Sequence, residues 1–369
     1  MTDPNYSPET PDTADHLEGY EAPGPGGWED YPLDELAIRD ERRTAIDVVR
    51  RLGQGRFVLD PDFQRDFVWD KDKQSRLIES ILLRIPLPVF YVAEDDQGRL
   101  VVVDGRQRLT TLKRFFSGEL KLDLEKRSEL HNCRFADLTP RLQNRLEDCQ
   151  LHFYIIDKSV PERARLDIFE RVNGGEVLTR QQMRNALYNG PATEFLREVA
   201  STPLFLDATG GSLNVKKMQD REFVNRFMSF QQFSLDEYKG DMDDWLAKGL
   251  TAFGTADKLR RTDIQTRLNL GLSNNLSIFG RHAFRKHRRP DQNRSVLNAS
   301  LFDVMMFELS HRSQDGVAAK AQEIRSAFYS VMDDETFIKA ITYGPNTPKE
   351  VRTRFRIAAD LMAGVFGDH

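Results

Sequence analysis

The chain has 369 residues, of which 39% are hydrophobic and 30% are charged, and its formal net charge is −5. This length and balance predict a globular protein with two domains. No run of about 18 apolar residues occurs, so we expect no membrane-spanning helix. Because the N-terminus is polar and acidic, we also expect no secretory signal. The two cysteines have neither metal-ligand spacing nor the pattern of a disulfide framework, which favours a cytoplasmic protein.

The negative charge is concentrated at the N-terminus. Residues 1–35 contain ten acids and no Lys or Arg, so the rest of the chain is mildly basic, at about +5. The same stretch is rich in Pro and Gly and has few apolar residues, and we therefore expect it to be disordered. A tail of this kind either solvates the chain or screens a basic surface from non-specific nucleic acid.

The first half of the chain shows alternating signals for helices and strands. Apolar residues three and four positions apart indicate helices, and short apolar runs indicate strands. In chain order the predicted elements are helix 44–52, strand 56–59, helix 71–84, strands 89–93 and 100–103, a helix from residue 106, a turn and helix within 135–146, strand 151–156, and helices 161–172 and 179–188.

The stretch 61–70 contains three aromatic residues among polar ones. In one interpretation it is an irregular loop whose rings seal the core. In the other it forms the rim of a pocket, with Gln64 and Arg65 facing a ligand and rings that stack on a base.

The candidate site is predicted within LVVVDGRQRLTTLKRFF, residues 100–116. The pattern indicates a strand, a tight turn at Gly105 and a helix. A helix N-terminus presents unpaired N–H groups, and Arg106 and Arg108 add guanidinium groups that match phosphate oxygens. The stretch therefore predicts a phosphate or nucleotide site, or else a common strand–turn–helix with solvated arginines. Asp104 is either a ligand for a metal or sugar, or the acceptor that caps the helix.

Two further features follow in the second half. The predicted helix 161–172 ends at a glycine-bearing loop, and Thr179 to Gln182 have the form of a capping box that starts a new helix. From residue 190 onward the strand signals fade and a mostly helical region is predicted. Its helices are expected at 194–200, 221–233, 235–249, 257–270, 301–309, 317–328 and 348–365.

The segment 281–294 is dense in basic residues. It is either a solvated surface or a contact for nucleic acid. The residues predicted to bind nucleic acid are Arg281, Arg285, Lys286, Arg288 and Arg289.

Four motifs occur in a family-specific order: FQRDFVWD (63–70), IESILLRIPLPVFY (78–91), VDGRQRLTTL (103–112) and FERVNGGEVLTRQQMRNALYNG (169–190). Over roughly residues 40–190 the chain resembles the N-terminal domain of GmrSD-type modification-dependent restriction systems. The resemblance implies a ParB/sulfiredoxin-like α+β domain with a small mixed sheet. We assign this domain to residues 36–158 and a mostly helical domain to residues 159–369.

The resemblance also implies roles for residues, because the Asp-Gly-Gln-Gln-Arg motif of the family is associated with nucleotide binding and NTP hydrolysis. Arg106 stands where the family has Gln, which makes the turn look more like the phosphate loop of ParB-like CTP-binding proteins. Phe63 replaces a family Tyr in a region implicated in recognising modified DNA. The implied catalytic residues are Asp104, Gln107 and Arg108, with Asp104 also holding Mg²⁺, and the implied nucleoside-triphosphate ligands are Gly105, Arg106, Gln64, Arg65, Arg171 and Asn173.

By this resemblance the chain is a nucleotide-binding component, with or without NTP hydrolysis, of a modification-dependent restriction or anti-phage defence system acting on DNA. The alternative is a non-catalytic DNA-binding or modification-sensing module that works with a separate nuclease. None of the seven histidines lies in an HNH-like context. We therefore expect no nuclease domain in this chain, and an HNH-type partner subunit for any cleavage.

Overall fold

The computed structural model describes residues 17–19, 37–59, 69–95, 97–172 and 179–367. These residues form two compact units. We call the first, which ends at Leu187, the sheet unit, and the second, which comprises residues 17–19 and the chain from Tyr188 onward, the helical unit. Gln64, Arg65 and Asn173, which were predicted to bind the nucleotide, lie outside the described residues.

The sheet unit is built on a five-stranded mixed sheet. Its strands are β1 (Ile38–Thr44), β2 (Phe57–Val58), β3 (Phe90–Glu94), β4 (Leu100–Asp104) and β5 (Gln150–Ile156), in the order β1-β5-β3-β4-β2. The β1–β5 and β3–β4 pairs are antiparallel, and the β3–β5 and β2–β4 pairs are parallel. The predicted α+β class with a small mixed sheet is confirmed, and the likeness to the ParB/sulfiredoxin fold stays a prediction.

Helices cover the apolar residues of this sheet. They are α1 (Ala45–Gly53), α2 (Lys71–Leu82), α3 (Arg106–Phe116), α4 (Pro140–Glu147), α5 (Glu162–Val172) and α6 (Arg180–Leu187). The apolar positions of α2 at Leu77, Ile78, Ile81 and Leu82 are all buried, as their spacing predicts. Buried residues of α1, α2 and α3 share one hydrophobic core with the sheet.

The boundary between the units falls between Leu187 and Tyr188, later in the chain than the boundary predicted after residue 158. The physical reason is packing, because α5 contacts β4 and α6 contacts α5. The capping box that was predicted at the start of α6 is present. Gln182 N–H donates to Thr179 Oγ1 at 3.2 Å, and Thr179 N–H donates to Gln182 Oε1 at 2.7 Å.

The helical unit has its own hydrophobic core. Its helices are α7 (Pro191–Ala200), α8 (Pro203–Thr209), α9 (Gln219–Phe230), α10 (Met242–Thr255), α11 (Lys258–Phe279), α12 (Ala299–Leu309), α13 (Gln314–Val331), α14 (Glu335–Thr342) and α15 (Pro348–Phe366). The sequence did not predict α8 or α14. Within the described part of the chain, no helix combines the length and hydropathy that crossing a bilayer requires.

An ion-pair cluster joins three helices inside this core. Arg226 of α9 donates to both carboxylate oxygens of Asp303 on α12, at 2.9 and 2.6 Å, and Arg354 of α15 donates to the same carboxylate at 3.0 Å. All three side chains are at most 1% exposed. We call these three residues the buried ion cluster.

Residues 17–19 pack into the helical unit, although they fall in the stretch predicted to be disordered. Glu18 pairs with Asn298 as a β-bridge, its N–H donating to the Leu297 carbonyl at 2.9 Å. Leu17 packs against the core, and Ser300 Oγ donates to the Gly19 carbonyl at 3.3 Å. We call residues 17–19 the docked segment.

Candidate functional site at the β4–α3 turn

The turn between β4 and α3 requires glycine at its central position. Gly105 has a φ of +98°, in the left-handed region that side chains disfavour. A Cβ atom built there would lie 2.3 Å from Cδ1 of Phe90 and 3.2 Å from Nη2 of Arg108. Only glycine can adopt this left-handed φ without strain and also leave room for the Phe90 ring, so the turn forms at Gly105.

Arg108 holds the turn together from inside. Its guanidinium donates to Asp104 Oδ2 at 2.8 Å, to the Val89 carbonyl at 3.1 Å and to the Pro88 carbonyl. The guanidinium carbon lies 4.3 Å from the centre of the Phe90 ring, and the residue is 8% exposed. Burial lowers the pKa of Arg108, against the opposing effect of Asp104. These contacts favour a positioning role for Arg108 over the catalytic, phosphate-binding role that the sequence predicts.

Asp104 is held at the end of β4 with its carboxylate accessible. One oxygen accepts from Arg108, and the side chain is 37% exposed. In register, Asp104 pairs with Tyr91 of β3. The buried Arg108 fixes the orientation of the Asp104 carboxylate, whereas the other side of this carboxylate is accessible to solvent. Asp104 is therefore suited to contact a ligand or a bound cation.

The N-terminus of α3 is open to an anion. No side chain caps it, whereas Thr44 and Asp70 cap α1 and α2 of the same unit. Its first-turn N–H groups, which have no intrahelical acceptor, therefore carry a partial positive charge at an uncapped end. The expectation that Asp104 caps this helix is not met, since its carboxylate binds Arg108 instead.

Gln107 adds a second unsatisfied group at this turn. Its Oε1 atom is buried and has no hydrogen-bond partner among the described residues. A buried amide oxygen without a donor is unfavourable by about 1–3 kcal/mol, so a ligand or water that donates to it is favoured. Arg106 lies beside it in the first turn of α3.

Arg171 was also predicted to bind the nucleotide. It lies exposed in the last turn of α5. Sequence reasoning missed a buried ion pair nearby in the chain, in which Arg180 of α6 donates to Asp167 of α5. The only sequence signal was an Arg immediately after the capping Thr179, which gives no hint of burial.

The basic segment 281–294 is mainly structural. Arg285 is 1% exposed and donates to the Thr209 carbonyl at 3.2 Å, to Ser212 Oγ at 2.5 Å and to the Ser295 carbonyl. It is therefore not available to DNA, and its predicted role is wrong. The physical reason is that three polar groups of the fold enclose its guanidinium.

The other cations of the segment differ in exposure. Lys286 pairs with Glu18 of the docked segment at 2.8 Å, and Arg288 pairs with Asp333 at 2.6 Å. Arg281, Arg288 and Arg289 are all exposed, with Arg289 lying 3.5 Å from Asp291. The surface that this segment offers to nucleic acid is therefore smaller than the sequence suggests.

Comparison with known proteins identifies the domain that carries the turn. Residues 46–189 match the family model of the GmrSD restriction endonuclease N-terminal domain. This match covers the residues of the β4–α3 turn, and the resemblance seen in the motifs is confirmed. Asp104 therefore lies within the part of the chain that is similar to the N-terminal domain of a restriction endonuclease.

The chain is also similar to an uncharacterized protein of Methanocaldococcus jannaschii, with 27% identity over 101 residues. The match covers 21% of this chain and 17% of the relative. The chain thus spans about a sixth of the length of the curated relative that it matches, and this likeness adds no activity.

Proposed function

We propose that the β4–α3 turn binds the phosphates of a nucleoside triphosphate, and that the chain is a nucleotide-dependent component of a restriction system acting on DNA. The observation that carries the proposal is the uncapped N-terminus of α3 beside an accessible, rigidly held Asp104. The GmrSD-type domain supports the restriction role. Sensing of modified DNA, an HNH-type partner subunit and a cytoplasmic location stay predictions.

The residues of the turn divide the work of binding. First-turn N–H groups of α3 and Arg106 would face the phosphate oxygens, which match both donor types. Gln107 Oε1 would accept from the ligand or from a bound water. Arg108 positions other groups and does not itself bind the ligand, because its guanidinium holds the Asp104 carboxylate and the backbone carbonyls of Pro88 and Val89.

Mg²⁺ fits this site only together with a nucleotide. Among the described residues no cluster of three or more His, Cys, Asp or Glu is present that would hold a metal by protein ligands alone. Mg²⁺ is commonly bound by one or two carboxylates plus substrate phosphates, and Asp104 supplies one carboxylate. When bound, the ion would neutralise phosphate charge, and hydrolysis of the nucleotide is part of the proposal.

The proposal is tested by calorimetry of the full chain with ATP, GTP and CTP, with and without Mg²⁺, followed by assay of phosphate release. Asp104→Asn is the sharpest variant, because it keeps an oxygen that accepts from Arg108 and removes the charge that Mg²⁺ needs. We expect it to abolish release and to weaken Mg²⁺-dependent binding by at least about tenfold. Asp72→Asn, at an exposed carboxylate of α2, is the control.

Two results would contradict this assignment. The first is tight binding and turnover in Asp104→Asn that equal those of the wild type. The second is the absence of binding for all three nucleotides in the wild type. A DNA-sensing module without a nucleotide is the alternative, but its sequence support has weakened, because Arg285 is buried and Lys286 is paired with Glu18.

A further inference from the structure

A cleft opens in the sheet unit away from the β4–α3 turn, and none of residues 104–108 lines it. Its volume is about 470 Å³, within the range of ligand pockets. The walls come from the end of α2, the segment 84–87, the exposed face of α4 and the chain at 148–150. We call it the arginine cleft, because Arg84, Arg141 and Arg145 all line it.

One face of α4 supplies most of the polar wall. Arg141, Asn144, Arg145 and Asp148 are three or four residues apart, which places them along one side of a helix. Asp148 is the only acid among the lining residues. With three guanidinium groups against one carboxylate, the cleft carries a positive charge and is suited to an anion.

Two of these guanidinium groups are free to bind. The side chains of Arg84 and Arg141 are exposed, and no residue in the described ranges accepts a hydrogen bond from either. Arg145 is partly engaged, because its Nη1 donates to the Leu82 carbonyl at the end of α2, at 2.7 Å. Arg84 also holds a φ of +65°, a conformation that is unfavourable for a residue with a Cβ.

The cleft also has apolar lining residues. Ile81, Leu87 and Cys149 lie there, and burial raises the pKa of the Cys149 thiol, so this side chain stays neutral. Pro86 and Pro88 restrict the backbone of the segment to an extended form. A ligand with a phosphate for the arginines and a flat or aliphatic body for the apolar residues matches this lining.

We propose that the arginine cleft binds a nucleoside-phosphate unit of DNA, with Arg84 and Arg141 on the phosphate. The choice of DNA as the ligand rests on the proposed function, because that function places the chain in a restriction system acting on DNA. A strand of DNA is favoured over a free nucleotide because both arginines stand exposed at an open rim beside Asn144 and Gln150, which are exposed as well. Guanidinium planes also stack on bases.

The test measures the anisotropy of fluorescein-labelled duplex and single-stranded DNA with the full chain over a series of NaCl concentrations. The cleft variant is Arg84→Gln with Arg141→Gln. The matched control is Arg42→Gln with Arg56→Gln, because these arginines are also exposed in the sheet unit and lack a described side-chain partner. Both pairs remove two positive charges, so only position differs between them.

We expect the cleft variant to raise the Kd for DNA at least about tenfold and to reduce the slope of log K against log salt by about 2. The control pair should change the Kd by no more than about twofold. Arg84→Lys with Arg141→Lys keeps the charge and should retain part of the affinity. Equal losses in the cleft and control pairs would mean diffuse attraction, and an absence of DNA binding by the wild type would overturn the proposal.

Calorimetry with ATP, GTP and CTP separates this proposal from that for the β4–α3 turn. The cleft variant should bind free nucleotide as the wild type does, and Asp104→Asn should bind DNA as the wild type does in the absence of nucleotide. A cleft variant that loses free nucleotide but keeps DNA would show that the occupant is a nucleotide, contrary to the proposal.

Discussion

Replacing Gly105 by Ala is expected to destabilise the protein more than the same change at Gly118, the glycine that follows the other end of α3. The left-handed φ of +98° is unfavourable for Ala by about 1–2 kcal/mol. The new Cβ would also lie 2.3 Å from the Phe90 ring, and overpacking of this kind destabilises by about 1–3 kcal/mol. The sum, about 2–5 kcal/mol, is a large share of the 5–15 kcal/mol that is typical of a folded protein.

Gly118→Ala separates the two contributions. Gly118 follows the other end of α3 with a φ of +77°, and nothing lies within 4 Å of the Cβ that would be built there. Urea unfolding of both variants should therefore give about 1–2 kcal/mol for Gly118→Ala and a further 1–3 kcal/mol, roughly, for Gly105→Ala. Phe90→Leu should reduce the difference between them. Equal losses at the two positions would refute the steric argument.

Two further predictions concern the helical unit. Asp303→Asn should lower the free energy of unfolding by about 3–5 kcal/mol, since it leaves Arg226 and Arg354 buried without the carboxylate that they share. Urea unfolding checks this, and Asp263→Asn, at a half-exposed pair with Arg267, should have little effect. The rings of His282 and His287 stack with their centroids 4.7 Å apart, and both residues are less than 5% exposed. Burial lowers the pKa of both side chains, and that of His282 falls to about 4. Because an unfolded His has a pKa of about 6.5, their stabilising contribution is complete above that pH and is lost as the pH falls toward 4. Urea midpoints across this range should fall less in His282→Gln with His287→Gln than in the wild type, and an unchanged slope would contradict the assignment.

The elements that the sequence predicts well are those with a local signal. The buried apolar positions of α2 and the capping box at Thr179 can be identified from spacing alone. Strand β1 has the opposite character, because its sequence IRDERRT has only one apolar residue and it pairs with β5 at the edge of the sheet. An edge strand of this kind contributes backbone hydrogen bonds, which leave no hydrophobic pattern.

The candidate site could be predicted only in part from the sequence, for a different reason. The turn at Gly105 follows from the local sequence, and the structure forms it there. Whether an arginine side chain is exposed or buried depends on residues that are distant in the chain. Arg108 donates to the Pro88 carbonyl, and Arg285 donates to Ser212 Oγ. The arginine cleft could not be predicted, since Arg84 and Arg141 are brought together only by folding.

The docked segment makes the helical unit discontinuous along the chain. Gly19 and Ser300 are 281 positions apart, and at about 5–20 residues per second a ribosome needs on the order of 15 to 60 s to make the second after the first. The helical unit cannot complete its contacts until then, while the whole sheet unit has already emerged. A fragment that begins at Tyr188 would lack Leu17 and Glu18, so the boundaries for dissecting this protein into halves must keep its N-terminus with its C-terminal helices.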